Sequence, residues 1–135
     1  MLPTLDARLA AAAELVRPGQ PVADIGCGHG KLTAVLAASG RYPKVIGADL
    51  RPGPLAKAEQ TLEHAGCKDR AELRLGDGLS VLTENEVGSI VLAGVSAQTT
   101  WEILEKAPWV FTVGGPRIIM IPATRHDALL SLIHI

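Results

Sequence analysis

Val22-Ala23-Asp24-Ile25-Gly26-Cys27-Gly28-His29-Gly30 decides the fold. Its first four residues make an apolar run too short for a helix, and it breaks into three alternating glycines. That pattern is a buried strand running into a tight turn. Lys31 to Ser39 then recurs at helical spacing, with Leu32, Val35 and Leu36 inward and Gly40 placed to cap the C-terminus. Upstream, Leu5, Leu9, Ala12 and Val16 predict a helix over 4–16, ended by Arg17-Pro18-Gly19. Downstream, a second strand spans 44–50, and Pro54 suits the first turn of a helix whose face is Leu55, Ala58, Leu62 and Ala65, stopped by Gly66. Ala71, Leu73 and Leu75 alternate with Glu72 and Arg74, so the third strand has one wet face and belongs at a sheet edge. The run 89–93 is apolar throughout, as a central strand is. Trp101, Ile103 and Leu104 mark another helix, with Trp101 and Trp109 expected to anchor that region to the core. Residues 117–121 form a fifth strand, and Thr124 with Asp127 resembles a capping box opening a last helix that runs to the end of the chain. Helices alternating with strands specify an α/β domain, a doubly wound, mostly parallel sheet with right-handed crossovers. Ligands in such sheets bind beyond the carboxyl ends of the strands, which narrows the search to the residues after strands one to four.

Size and composition agree. The chain has 135 residues, enough for one domain over 1–135. Lysine plus arginine total 13 against 14 acids, a net charge of -1, so no global positive field recruits nucleic acid. The only aromatic residues are Tyr42, Trp101, Trp109 and Phe111, too few for a base-stacking platform. Cys27 and Cys67 cannot build a disulfide scaffold and fit a reducing, cytoplasmic setting. No apolar run approaches the ~18 residues of a membrane span, and no basic leader marks a signal peptide. His64, His126 and His134 lack ligand spacing with each other or with the cysteines, so no metal site is expected.

The glycine loop after strand one lets backbone approach a ligand closely, and the helix that follows offers free N–H groups to an anionic group. A dinucleotide fingerprint would place glycine where Lys31 stands. Asp49 closes strand two, where an acid can accept both ribose hydroxyl protons, and Asp77 follows strand three in Gly76-Asp77-Gly78. Together with Asp24 these carboxylates would repel a pyrophosphate. They suit a ligand that offers an ammonium, two hydroxyls, an exocyclic amine and a sulfonium, a description that S-adenosylmethionine meets. A nicotinamide oxidoreductase is disfavoured by Lys31 and Asp77.

The D-x-G-x-G-x-G loop resembles that of class I S-adenosylmethionine-dependent methyltransferases. More narrowly, the chain resembles the bacterial tRNA (adenine-22-N1)-methyltransferase family. The similarity runs from Leu5-Asp6-Ala7-Arg8-Leu9 through Ala23-Asp24-Ile25-Gly26, Gly53-Pro54-Leu55-Ala56, Leu73-Arg74-Leu75-Gly76-Asp77-Gly78-Leu79 and Ile90-Val91-Leu92-Ala93-Gly94 to Ile103-Leu104. The resemblance implies a Rossmann-like fold and S-adenosylmethionine as cofactor. It places Asp24 beside the methionine amine, with Gly26, Cys27, Gly28 and Gly30 lining the methionine moiety. Asp49 and the adjoining Leu50 fall at the ribose, Asp77 between Gly76 and Gly78 at the adenine amine, and Ala93 and Gly94 beneath the transferred methyl. It also implies tRNA as partner, with no membrane and no metal, and further strands and a helical C-terminal extension beyond Ile135. On that reading the chain is C-terminally truncated and the fifth strand leaves an apolar edge unpaired, so the isolated chain is marginal or associates.

Two positions depart from the family pattern. The family has an Asp-His pair in the first loop where this chain has Gly28-His29, and Ala-Gly-Met-Gly-Gly after strand four where it has Ala93-Gly94-Val95-Ser96-Ala97. Both touch the acceptor side more than the cofactor side. Methylation of adenine N1 needs alignment more than a strong base, because N1 carries a lone pair in neutral adenine. His29 is the candidate catalytic side chain, since it sits in the first loop. Arg8, Lys31, Arg51 and Arg74 are candidates for phosphate contact. Cys27 reads as a neutral packing thiol. Two alternatives stand beside the tRNA reading: a non-catalytic S-adenosylmethionine-binding module, and a small-metabolite methyltransferase.

Overall fold

The computed structural model describes residues 2–122 and 131–133. Its elements run α1 (Ala7–Leu15), β1 (Val22–Ile25), α2 (Lys31–Ser39), β2 (Val45–Asp49), α3 (Pro52–His64), β3 (Ala71–Leu75), β4 (Ser89–Val95), α4 (Ala97–Glu105), β5 (Arg117–Pro122) and β6 (Ser131–Ile133). Among the described residues these strands form one sheet in the order β3-β2-β1-β4-β5-β6. The pairings from β3 through β5 are parallel, and β6 is antiparallel to β5. This is the doubly wound, Rossmann-like α/β arrangement expected from the alternation, with its order reversing between β1 and β4.

Local chemistry sets the boundaries. The first helix starts at Ala7 rather than at residue 4, because the Asp6 carboxylate accepts the Leu9 N–H at 2.8 Å and takes the N-cap. Helix α2 runs between Gly30 and Gly40, both in the left-handed region that glycine tolerates. Pro52, two residues earlier than the sequence suggested, opens α3 in its first turn. Every residue of β1 and β2 is buried, as both faces of a parallel sheet require, whereas β3 at the edge is half-exposed.

Two apolar clusters flank the sheet. On one face Val22, Val45, Val91 and Ile119 pack against Ala12, Val16, Leu32, Leu36 and Leu62 of the first three helices and their flanks. On the other, Ala23, Ile46, Ile90, Leu92 and Ile118 pack against Leu79, Leu82, Leu104 and Val110. That second layer is thin. Between β3 and β4 the chain makes only a short 3-10 turn, Gly78–Val81, so β4 is reached without a full crossover helix.

The C-terminal expectations need correction. Residues 131–133, assigned to a last helix, are extended and pair with Ile118–Met120, and the Thr124–Asp127 capping box lies outside the described residues. The outer edge of β5 is therefore paired, not bare as the sequence suggested; a short β-prone Ser-Leu-Ile segment lying alongside an open strand satisfies its N–H and C=O groups. Trp101 does not anchor to the core: it is 53% exposed on α4, where Leu104 and Thr100 face inward. Trp109 does pack against the second cluster.

Candidate functional site

The loops after β1, β2, β3 and β4 line one side of the sheet, and backbone hydrogen bonds tie the first three into one surface. The Gly26 and Cys27 N–H groups both donate to the Ala48 carbonyl, at 2.8 and 2.9 Å, and the Gly76 N–H donates to the Asp49 carbonyl at 3.0 Å. Asp49 carries its own side chain into the same junction. One carboxylate oxygen accepts the Gly28 N–H at 3.1 Å and the other the Arg51 N–H at 3.0 Å. The carboxylate is thus oriented by backbone donors, and each oxygen keeps a lone pair for a further donor.

Two adjoining cavities open over this junction. The first, about 470 Å³, is lined by Asp49, Leu50, Gly76, Asp77 and Gly78 on the β2–β3 side, and by Thr99, Glu102, Ile103 and Lys106 of α4 and its C-terminal end opposite. The second, about 390 Å³, is lined by Asp24, Cys27, His29 and Lys31 together with Asp6, Arg8 and Leu9 at the start of α1. Gly26, Ala93 and Gly94 line both, so they form the ridge between the two chambers. Gly26 and Gly94 adopt φ of 75° each, a backbone that side-chain-bearing residues rarely take, and a Cβ at Gly94 would point into open space. Each volume falls within the ~300–1,000 Å³ typical of small-molecule sites.

Asp24 is the most perturbed group. It lies inside β1, 2% exposed, and accepts the Thr33 hydroxyl hydrogen bond from α2 at 2.8 Å. Burial disfavours its charged form and raises its pKa from 3.8 to about 6, with the Thr33 hydrogen bonds opposing the rise and the Asp49 charge adding to it. Gly47, paired with Asp24 across β1–β2, leaves the room: a Cβ there would meet Thr33 Oγ1 at 2.9 Å. Burial, with the charges of Asp24 and Asp49 adding, pushes the Cys27 thiol up to about 12. Cys27 is therefore a neutral lining thiol, as its sequence context suggested, and not a nucleophile.

Of the singled-out residues, Asp49, Leu50, Gly76, Asp77 and Gly78 meet in the first cavity, and Asp24, Cys27 and His29 in the second. Gly28 and Gly30 line neither. Gly28 donates its N–H to Asp49, and Gly30 provides the close approach of the loop to α3, where a Cβ would lie 2.8 Å from that of Ala58. His29 is exposed at the mouth of the second cavity. Arg74 faces away from both cavities and is held by glutamates. The α4 wall was not anticipated: Thr99 and Glu102 sit on the exposed side of an amphipathic helix, Lys106 caps it and Ile103 packs partly on the core, and a single sequence gives such residues no sign that they border a cavity. Among the described residues no group of three or more His, Cys, Asp or Glu could hold a metal ion, and no helix is long and apolar enough to cross a membrane.

A carboxylate fixed at the end of β2, a second carboxylate after β3 and a glycine ridge at the switch point define a nucleoside-binding doubly wound domain. The two cavities bring together Asp49 and Asp77 on one side and Asp6 and Asp24 on the other, so the residues fit S-adenosylmethionine, with its amine, sulfonium and diol, better than a dinucleotide.

The chain belongs to the methyltransferase-domain family, whose model matches residues 5–134. It is 30% identical over 118 residues to the tRNA (adenine(22)-N(1))-methyltransferase of Bacillus subtilis, covering 87% of this chain and 49% of that protein. The crystal structure of the B. subtilis m1A22 tRNA methyltransferase TrmK superposes with a TM-score of 0.80 at 30% identity, over 88% of this chain and 50% of the other. Sp1610 of Streptococcus pneumoniae, solved in complex with S-adenosyl-L-methionine, superposes with a TM-score of 0.80 at 27% identity, over 90% of this chain and 57% of that one. The chain thus spans about half the length of these relatives.

Proposed function

We propose that the chain is the cofactor-binding domain of an S-adenosylmethionine-dependent methyltransferase acting on N1 of adenine 22 in tRNA. The observation that carries the cofactor assignment is the pair of chambers joined over Gly26, Ala93 and Gly94, with Asp49 and Asp77 in one and Asp24 in the other. When bound, S-adenosylmethionine supplies an electrophilic methyl group on a cationic sulfur. Asp49 would accept the ribose hydroxyl protons and Asp77 the exocyclic amine of adenine, while Asp24 would face the amine of the methionine half. Cys27, Gly28 and Gly30 would shape the loop around that half. Leu50, Gly76 and Gly78 would line the nucleoside half, and Ala93 and Gly94 the reacting region. His29 is the side chain we assign to the acceptor side, and Lys31, which lines the same cavity, would meet an RNA phosphate. The similarity to the B. subtilis enzyme supports tRNA adenine as the acceptor.

Calorimetry with S-adenosylmethionine, followed by radiolabelled methyl transfer to unmodified tRNA and to the same tRNA with A22 replaced by G, tests the reading. Binding, with transfer to the first tRNA only, is expected. Transfer to both overturns the acceptor, and binding without any transfer favours the non-catalytic module suggested by Gly28 and Val95-Ser96-Ala97. Loss of transfer in His29→Ala at unchanged cofactor affinity supports its role, and undiminished transfer removes it.

A further inference from the structure

The first cavity is walled on one side by the loop after β3. Asp77 is two-thirds exposed, and it forms an ion pair with Lys106, 4.0 Å away and 76% exposed. The 3-10 turn Gly78–Val81 that follows has no side-chain cap. Yet Gly76, Asp77, Gly78, Leu79, Ser80 and Leu82 all line that cavity. Within the loop the Ser80 hydroxyl donates to the Asp77 carbonyl at 2.6 Å, and Leu79 and Leu82 are buried in the second cluster; a further brace holds its base on the side away from the cavity. The Arg74 guanidinium donates to the Val81 carbonyl at 2.7 Å and forks onto Glu86 at 2.9 and 2.6 Å. Glu86 in turn accepts the Thr83 N–H at 3.0 Å. Arg74 also reaches Glu72, and Lys44 bridges Glu72 and Glu86 at 3.4 and 3.5 Å. Gly76 closes the other end, since a Cβ there would lie 2.5 Å from Val81 Cγ1. The Arg74 and Glu86 side chains are only 21% and 18% exposed, and two parallel N–H···O bonds fix direction as well as distance.

We propose that Arg74 and Glu86 are positioning residues for recognition of the nucleobase: their forked pair sets where Asp77 and Gly78 stand, and so how sharply the site distinguishes a base bearing an amine from one bearing a carbonyl. This rests on the reading of the first cavity as the nucleoside chamber. Neither residue lines the cavity. The pair works through the loop, as supporting shells do when they hold ligand-contacting groups within a fraction of an ångström.

The test is the ratio of calorimetric affinities for S-adenosylhomocysteine and S-inosylhomocysteine, measured on the whole chain. The unmodified chain should prefer the adenosyl ligand by about tenfold or more, the size of one well-placed polar contact. Arg74→Lys keeps the charge but not the fork, and should cut that preference severalfold while hydrogen exchange rises across 76–82. Glu86→Gln keeps the shape and one acceptor, and should give a smaller loss in the same direction; it also serves should Arg74→Lys fold poorly. A role in general stability alone would lower the melting temperature and leave the ratio intact, and an intact ratio in both folded variants overturns the proposal. Failure of the unmodified chain to bind either ligand overturns the nucleoside reading itself, which is a different result.

Discussion

Replacing Asp24 with asparagine should make the folded chain more stable at neutral pH and leave it nearly unchanged in acid. Asp24 is 2% exposed, and burial raises its pKa from 3.8 to about 6. Below about pH 4 the carboxyl is protonated in both folded and unfolded chains, and burial carries no charge penalty. As pH rises from about 4 to about 6 the unfolded chain ionises first, so the folded state loses stability relative to it. Above about 6 both forms are ionised and the penalty is constant. The gap between 3.8 and about 6, at about 1.4 kcal/mol per pH unit, makes that penalty about 3 kcal/mol. Asparagine keeps an oxygen to accept the Thr33 hydroxyl, so the packing with α2 survives. Urea denaturation of both proteins at intervals from pH 4 to 8, taken as the difference between them, cancels the titrations they share, including those of Asp6, Arg8, His29 and Lys31 around the same chamber. The difference should grow in favour of the variant up to about pH 6 and then level. A difference independent of pH would refute the reasoning. A chain that keeps an ionised carboxylate in this place at a loss of stability points to function rather than folding, and the same variant should bind a cationic ligand more weakly.

Asp49→Ala removes the acceptor assigned to the ribose hydroxyls and the brace on the Gly28 N–H; calorimetry should show S-adenosylhomocysteine affinity reduced by about 10- to 100-fold, from the ~1.5–3 kcal/mol of a charged hydrogen bond. Gly47→Ala forces a methyl to within 3.0 Å of Leu73 Cδ2 as well as Thr33, and thermal denaturation should report a loss of about 1–3 kcal/mol. Cys27, with its pKa pushed up to about 12, should have a thiolate fraction of about 10⁻⁴ at pH 8 and react with a disulfide reagent far more slowly than a free thiol. Leu104→Ala opens a hole in the thin second layer and should cost about 2–5 kcal/mol in denaturant unfolding.

The strand, glycine turn and helix at 22–39 were legible because they rest on local rules: an apolar run too short to be helical, glycines where φ is positive, and a glycine cap. The doubly wound, mostly parallel sheet followed from alternation and handedness. What escaped was non-local. Whether Ser131-Leu132-Ile133 continues a helix or pairs with a strand depends on the open edge of β5, which no window around residue 131 contains. Trp101 has the size of a core residue, but the helix phase set by Thr100 and Leu104 turns it outward. Asp24, Asp49 and Asp77 were found from their positions at strand ends, yet their division between two chambers comes from β1 burying Asp24 against Thr33. The brace behind Asp77 was invisible: Arg74 read as a candidate for phosphate contact, and nothing in the sequence ties it to Glu86, twelve residues on, until the fold brings them together.

The account stands on the two chambers joined over Gly26, Ala93 and Gly94 holding one ligand across them. Backbone amide chemical shifts recorded while S-adenosylhomocysteine is titrated into the labelled chain test this directly. Saturable shifts in Leu50 and in residues 76–79 together with Gly26, Cys27 and Gly94, at one common affinity, are expected. Shifts confined to one chamber, or gathered around Gly66 and Asp69 at the far end of α3, would contradict it.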